Sequence, residues 1–289
     1  MNFSNVHNSR PLTPESFQII RGLVNRRFGI FFNDNDRNLL ESRLSGRVVD
    51  LNFQTFDQYA EFLAQPDSVQ ELDASVELLT NNETYFFRED TQLGAFVNQI
   101  LPDVHRRNGR MRQLTIWSAG CSSGEEVYSI AIFIEESGLF SGWDVRVFGS
   151  DISARMLTRA RSGIFGKSAF RNTPEYLRTK YFRRVGAGNE WEVKRGIRER
   201  CSFGKMNLLD ASHTGVLGTF DVIFCRNVLI YFDRNSRMQT IDLFHRRLNR
   251  TGYLLLGHSE SLLNRETPFV QVDLNDTAVY QKQEDDLVN

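Results

Sequence analysis

The sequence predicts an α/β protein in which an open, doubly wound and largely parallel sheet follows a small all-α domain and carries a short antiparallel β insertion. Three observations predict this. Apolar residues recur at helical spacing over the first 75 or so positions, short apolar runs alternate with helical patterns from about residue 90, and residues 178–205 break that alternation. The expected boundaries are 1–75 for the helical domain, 76–91 for a linker and 92–289 for the α/β domain, with the insertion at about 178–205.

Residues 1 to about 10 are polar and read as loose. A helix start follows, with Thr13 as N-cap and Pro14 in the first turn, and Phe17, Ile20, Val24 and Phe28 then share one face. Leu40, Leu44, Val48 and Leu51 mark a second helix, Tyr59, Phe62 and Leu63 a third, and Val69, Leu72, Val76 and Leu79 a fourth. Arg43 and Arg47 are four apart on the second helix, on a face the leucines do not use. That pair reads either as a docking surface for an acidic partner or as a solvated helix face.

The linker Leu79-Thr-Asn-Asn-Glu-Thr-Tyr-Phe-Phe-Arg-Glu-Asp90 sets polar groups beside aromatics. With Phe86 and Phe87 buried, Asn82, Thr84 and Arg88 point one way, as a segment lying over a cofactor requires; N-capping by Asn81 or Asn82 is the alternative.

After a helix over Gln92–Val104, Leu114-Thr-Ile-Trp-Ser-Ala-Gly-Cys-Ser-Ser-Gly-Glu-Glu-Val-Tyr-Ser-Ile-Ala-Ile132 reads as strand, nucleotide loop and helix. Gly120, Ser122, Ser123 and Gly124 are small enough for the backbone to pass close to a ligand. One βα unit later, Val145-Arg-Val-Phe-Gly-Ser-Asp151 ends in a carboxylate where such sheets bind a ribose diol. A nucleoside ligand is therefore expected. Neither Gly-x-Gly-x-x-Gly nor a Walker A loop is present, and Glu125-Glu126 at the helix start would repel a phosphate. The acidic pair suits a ligand with a ribose, a positive charge and no phosphate, which describes S-adenosylmethionine; complementing the helix dipole is its simpler role.

Residues 178–205 carry Tyr181-Phe182, a turn at Gly186-Ala-Gly-Asn-Glu190, Trp191-Glu-Val-Lys and the run Ile197 to Phe203, and predict short antiparallel strands. Such an excursion is a binding appendage or a loop packed back for stability. Phe220-Asp-Val-Ile-Phe-Cys begins a further buried strand, and Arg226, Asn227 and Tyr231 follow its carboxyl end, over the ligand crevice. A helix over Arg237–Leu248 and a strand over Gly252–Gly257 come next, and Thr277–Lys282 closes the sheet. Cys121 and Cys225 read as small apolar fillers, and His258 as structural rather than as a base.

Composition bounds the rest. A chain of 289 residues with a formal charge of −1 has ample core and lacks the basic excess of a general nucleic-acid binder. Its three cysteines form no spaced metal or disulfide framework, which fits a reducing compartment. No apolar run approaches the ~20 residues of a membrane span and the start is no signal peptide, so a cytoplasmic protein is expected. No general base stands out either. Methyl transfer to a carboxylate needs none, because a glutamate with a pKa near ~4.3 is already ionised at neutral pH.

Asn82-Glu-Thr-Tyr-Phe-Phe-Arg88, Ser118-Ala-Gly-Cys-Ser-Ser-Gly-Glu-Glu126, Gly149-Ser-Asp-Ile152, Phe224-Cys-Arg-Asn-Val-Leu-Ile-Tyr-Phe-Asp233 and Gly257-His-Ser-Glu260 together resemble the chemoreceptor glutamate O-methyltransferases of bacterial chemotaxis, the CheR family, in order and spacing over residues 12–282. The resemblance implies a Rossmann-like class I methyltransferase sheet with an N-terminal helical domain and an inserted antiparallel β-subdomain. It implies S-adenosylmethionine as cofactor, S-adenosylhomocysteine as product and no metal. Cofactor contacts carry over to Asn82, Thr84, Arg88, Glu126, Asp151, Asn207, Leu208, Arg226 and Asn227. Arg88 and Tyr231 are placed nearest the transferring methyl as the catalytic pair, with Asp151 on the ribose.

The implied substrates are glutamates on the cytoplasmic helices of methyl-accepting receptors, with Arg43 and Arg47 on the receptor-docking surface. A monomer that neither binds nucleic acid nor inserts into the membrane is expected. The turn at Gly186–Glu190 is shorter than in members that grip a receptor C-terminal peptide, which implies receptor recognition without that tether. A non-catalytic S-adenosylmethionine sensor would show a degenerate site, a small-molecule methyltransferase would act on free metabolites, and a nicotinamide oxidoreductase would bind a dinucleotide.

Overall fold

The computed structural model describes residues 11–186, 188–210, 217–262, 267–274 and 277–283. Residues 1–10, for which the sequence predicts a loose segment, and position 187 of the Gly186–Glu190 turn lie outside them. The chain divides into two compact units: residues up to Asn81 with Tyr231–Arg237, and Asn82–Ile230 with Met238 onward.

The first unit is built on α1 (Pro14–Phe28), α2 (Arg37–Asp50), α3 (Phe56–Leu63) and α4 (Val69–Leu79). Thr13 caps α1 by accepting the Ser16 amide at 3.2 Å, and Gly29 ends it at φ 73°, a conformation glycine adopts without steric cost. Phe17, Ile20, Val24, Leu40, Leu44, Val48, Tyr59, Leu63 and Val76 bury the facing stripes.

Both docking-candidate arginines of α2 have partners inside this unit. Arg43 donates to the carbonyls of Leu78 (3.0 Å) and Thr80 (2.8 Å), satisfying groups left over at the end of α4. Arg47 grips the buried Glu71 carboxylate with Nε (2.8 Å) and Nη2, and Tyr59 Oη donates to the same carboxylate at 2.8 Å. The hydrogen bond to Glu71 raises the Arg47 pKa, while burial, followed by that carboxylate, pushes the Tyr59 phenol up. Arg47→Ala would leave the Glu71 charge without its cation. We expect a loss of about 1–3 kcal/mol in urea unfolding, less than for a fully buried pair because water reaches part of the guanidinium.

The same unit takes in a segment from far along the chain. Ile30 forms a β-bridge with Phe232, the Phe31 amide donates to the Tyr231 carbonyl at 2.8 Å, and Asn25 Nδ2 donates to Asp233 at 2.6 Å. Asp233 in turn accepts the Ser236 amide at 2.8 Å in the first turn of a helix over Arg234–Arg247.

Among the described residues the second unit holds ten strands: β1 (Gln113–Ala119), β2 (Asp144–Asp151), β3 (Ile164–Gly166), β4 (Phe182–Val185), β5 (Glu190–Val193), β6 (Cys201–Lys205), β7 (Phe220–Cys225), β8 (Leu248–Leu256), β9 (Phe269–Leu274) and β10 (Thr277–Lys282). Seven form one sheet in the order β6-β2-β1-β7-β8-β10-β9, parallel from β6 to β8, with β10 antiparallel to both neighbours. The strand order reverses between β1 and β7, and the space above the carboxyl ends at such a reversal is where open α/β sheets take their ligands. β7 is buried along its whole length, as a central parallel strand requires.

Three expectations need correction. The run Ile197–Phe203 is no antiparallel strand of the insertion: Ile197 lies in a helical turn over Arg195–Arg198, and Cys201–Lys205 joins the main sheet parallel to β2, from Val147↔Cys201 to Asp151↔Lys205. Phe203 packs on Tyr128 with ring centroids 5.5 Å apart, which ties this edge to the main core. The antiparallel sheet instead recruits Ile164–Gly166, in the order β3-β5-β4. Finally, β10 is the last strand in the chain but not the last in the sheet, because β9 lies outside it.

An aromatic cluster anchors the linker within this unit. Phe86 is fully buried, with ring centroids 4.9 Å from Phe165, 5.0 Å from Phe170 and 4.9 Å from Phe182, and its amide donates to the Ala169 carbonyl at 2.9 Å.

Candidate functional site

The loop between β1 and the helix α5 (Glu125–Ser137) wraps around the end of β2. The amides of Gly120 (2.8 Å) and Cys121 (2.9 Å) donate to the Ser150 carbonyl. The Asp151 carboxylate, 8% exposed, accepts the Ser122 amide at 2.8 Å on Oδ2 and the Ser153 amide at 2.9 Å on Oδ1. The acid thus fixes the loop from the carboxyl end of β2. Gly120 and Gly124 have φ of 83° and 95°, and a Cβ on Gly120 would sit 2.3 Å from Val228 Cγ2, so the turn excludes side chains at both positions.

The acidic pair at the helix start divides into two roles. Glu125 turns inward, where burial raises its pKa against the Ser123 hydroxyl bond at 2.8 Å. Glu126 accepts from Ser118 Oγ at 2.7 Å and pairs through Oε2 with Arg226 Nη1 at 3.1 Å. Arg226, directly after β7, has a side chain only 3% exposed; its Nη2 also reaches Glu89 at 3.0 Å and the Arg88 carbonyl at 2.6 Å, and its Nε is buried without a partner. Two acids flank this arginine and Arg88 Nε lies 4.0 Å from Glu89, so the cations of this corner already face carboxylates, which disfavours a phosphate.

The linker enters the site through its backbone. The Asn82 carbonyl accepts from Ser122 Oγ at 3.0 Å, and the Phe87 amide donates to Ser129 Oγ at 3.0 Å. Phe87, Glu89, Ser122 and Asn227 hold φ of 58°, 61°, 49° and 60°, four of the seven non-glycine residues in that region among those described. Positive φ is costly for such residues, and its concentration here marks a site held in shape by its surroundings. Arg88 donates to the Glu83 carbonyl at 3.2 Å and lies 5.8 Å from the Tyr85 ring centroid. Thr84 is half-buried in the same segment.

Asn207 and Leu208 follow β6, next to Met206, whose amide donates to the Asp151 carbonyl at 2.9 Å; Asn207 Oδ1 accepts the Leu209 amide at 3.1 Å. Asn82, Asn207, Leu208, Arg226 and Asn227 therefore belong to the linker or to loops after the strands of this unit, Glu126 to the first turn of α5 and Asp151 to the end of β2. Tyr231, Arg43 and Arg47 belong to the helical unit, and Tyr231 is 37% exposed. Ser118, Glu89 and Glu260 join the site without having been given a role from sequence, and each touches a residue that was; Ser122, read from sequence only as a small loop residue, also bonds Asp151 and Asn82.

Burial pushes the Cys121 and Cys225 thiols well up, so neither offers a thiolate at neutral pH. His258 is exposed in the turn after β8. Among the described residues no group of histidine, cysteine, aspartate and glutamate could hold a metal ion, and no helix is long and apolar enough to cross a membrane. The donor set fits S-adenosylmethionine: carboxylates at the end of β2 and at the helix start, a tight glycine loop, and no cationic phosphate cradle among the described residues.

Comparison with known proteins agrees. The CheR methyltransferase SAM-binding domain matches residues 82–278, and the CheR all-alpha domain matches residues 15–80. The chain is 39% identical over 253 residues to chemotaxis protein methyltransferase 2 of Vibrio cholerae, covering 87% of each. It is 34% identical to the chemotaxis protein methyltransferase of Borreliella burgdorferi, covering 87% of this chain and 89% of that one, and 36% identical to that of Escherichia coli, covering 89% and 88%. With an S-adenosylmethionine-binding α/β unit and an all-α unit both matched, the chain belongs to the CheR family of chemotaxis methyltransferases.

Proposed function

We propose that this enzyme transfers the methyl group of S-adenosylmethionine to glutamate side chains on the cytoplasmic helices of methyl-accepting chemotaxis receptors. The products are glutamyl methyl esters and S-adenosylhomocysteine, the role is sensory adaptation, and the setting is the cytoplasm. The observation that carries the reading is the loop after β1 braced by Asp151, beside the Glu126–Arg226 pair. It supports a nucleoside with a cationic centre and offers no phosphate site.

The cofactor supplies an electrophilic methyl on a sulfonium. The chain's residues bind, align and exclude water, because an ionised carboxylate is a competent nucleophile without a general base. Asp151 is proposed on the ribose, Asn82, Thr84, Glu126, Asn207, Leu208, Arg226 and Asn227 around the rest of the cofactor, and Arg88 with Tyr231 on the incoming carboxylate. The assignment of Tyr231 rests on the family resemblance. Arg88 is also supported by its setting, since its side chain is one-third exposed (33%), facing one carbonyl and Glu89 at 4.0 Å. A monomer working without a metal or a receptor tail peptide completes the proposal. Receptor docking by α2 would use Arg43 and Arg47 in the places their internal bonds hold them.

Transfer of labelled methyl to membranes containing the host's receptors, followed by alkaline release of methanol, tests the reaction. Base-labile label on a receptor supports it; bound cofactor with no transfer to any receptor would overturn it in favour of a sensor. In the same assay Arg88→Ala should lower turnover by about a hundredfold while cofactor affinity stays within about threefold, as for a group that aligns substrate rather than binds cofactor. The reverse pattern would reassign Arg88 to binding.

A further inference from the structure

Strand β7 ends at Cys225, and the chain must then turn sharply to present Arg226 and Asn227 over the crevice while keeping its backbone amides satisfied. Four amides converge on a single carboxylate in the turn after β8, three from the turn after β7 and one from Gly257. Glu260 Oε2 accepts the amides of Asn227 and Gly257, both at 2.8 Å, and Oε1 accepts those of Val228 at 2.9 Å and Ile230 at 3.1 Å. Glu260 is 8% exposed. Successive amides aimed at one point make an anion nest, and here the chain supplies its own anion.

Two neighbouring contacts show what this nest controls. A Cβ on Gly257 would lie 2.6 Å from Glu260 Oε2 and 2.8 Å from the Asn227 amide, so position 257 stays bare to let the carboxylate approach. Val228, the next residue held by Glu260, packs against Gly120 at the start of the loop after β1. Asn227 sits at φ 60°, a conformation that needs holding. One carboxylate therefore sets the turn bearing Arg226 and Asn227 and, through Val228, the wall of the first loop.

We infer that Glu260 is a positioning residue for the cofactor: it touches no reacting group and acts through Asn227, Val228 and the Gly120 turn. This rests on the proposed assignment of Asn227 to the cofactor. Glu260→Gln keeps the size but turns one acceptor oxygen into a donor, so two amides lose their partner whichever way the side chain is turned. S-adenosylhomocysteine affinity, measured by calorimetry on protein shown to be folded by circular dichroism, should fall by about tenfold or more. Gly257→Ala, which keeps the charge and displaces it, should do the same and serves if Glu260→Gln does not fold. Combined with Asn227→Ala, either change should cost less than the sum of the two alone.

A purely structural glutamate would lower the unfolding temperature and leave the affinity of folded protein unchanged; that result, or additive losses, would overturn the inference. Loss of affinity in Asn227→Ala but not in Glu260→Gln or Gly257→Ala would reject the inference and leave the site assignment standing. Failure of the unmodified enzyme to bind S-adenosylhomocysteine would reject that assignment and the inference with it.

Discussion

Arg226→Met should be the most destabilising single substitution at the mouth of the crevice, at about 3–5 kcal/mol in urea unfolding, the range for removing one member of a buried charge cluster. The guanidinium lies between Glu89 at 3.0 Å and Glu126 at 3.1 Å, with the Arg88 carbonyl at 2.6 Å, and its side chain is 3% exposed. Methionine fills a similar length and takes away the cation between the two carboxylates, leaving Glu126 without its arginine and Glu89 only the more distant Arg88 at 4.0 Å. Glu89 would be affected further, because it holds a left-handed backbone at φ 61° and loses the contact that helps to keep it there. A loss below about 1 kcal/mol would show that water screens the cluster as it does a surface pair.

Asp151→Ala should give the largest fall in cofactor affinity of any substitution in the crevice, about a hundredfold or more by calorimetry with S-adenosylhomocysteine. Two effects combine. The Ser122 and Ser153 amides lose a charged acceptor in a buried setting, at about 1–3 kcal/mol each, which loosens the turn in which Ser122 holds φ 49°. The proposed ribose contact is lost as well. Asp151→Asn should fall between the two, since an amide oxygen can still serve one donor. Unchanged affinity in folded Asp151→Ala would remove this residue from the cofactor site.

Much of the crevice was legible because its parts are local. The apolar run Leu114–Ala119, the small-residue loop and the helix after it are continuous in sequence, as are the strand and terminal acid of Val145–Asp151, so periodicity and residue size located both. What was missed depends on contacts distant in sequence. Cys201–Lys205 is short and only partly buried, so nothing in its own pattern distinguishes an edge strand parallel to β2 from one leg of a hairpin. Glu260 is one acid after a strand; only the folded chain brings four amides to it. Arg43 and Arg47 were correctly placed off the leucine face, but helical spacing could not show that α4 supplies partners for both.

The Tyr231–Arg237 segment, which bridges to Ile30 and is gripped by Asn25, makes the helical unit discontinuous in sequence. A fragment ending near residue 81 is therefore an incomplete fold: the end of α1 would lose its bridge, and Asn25 its carboxylate. The converse fragment, from residue 82 onward, would carry seven residues whose packing partners had been cut away. Chimaeras meant to exchange the helical unit between relatives should transplant the two stretches together, because a single crossover between residues 81 and 82 pairs one protein's α1 with the other's bridging segment.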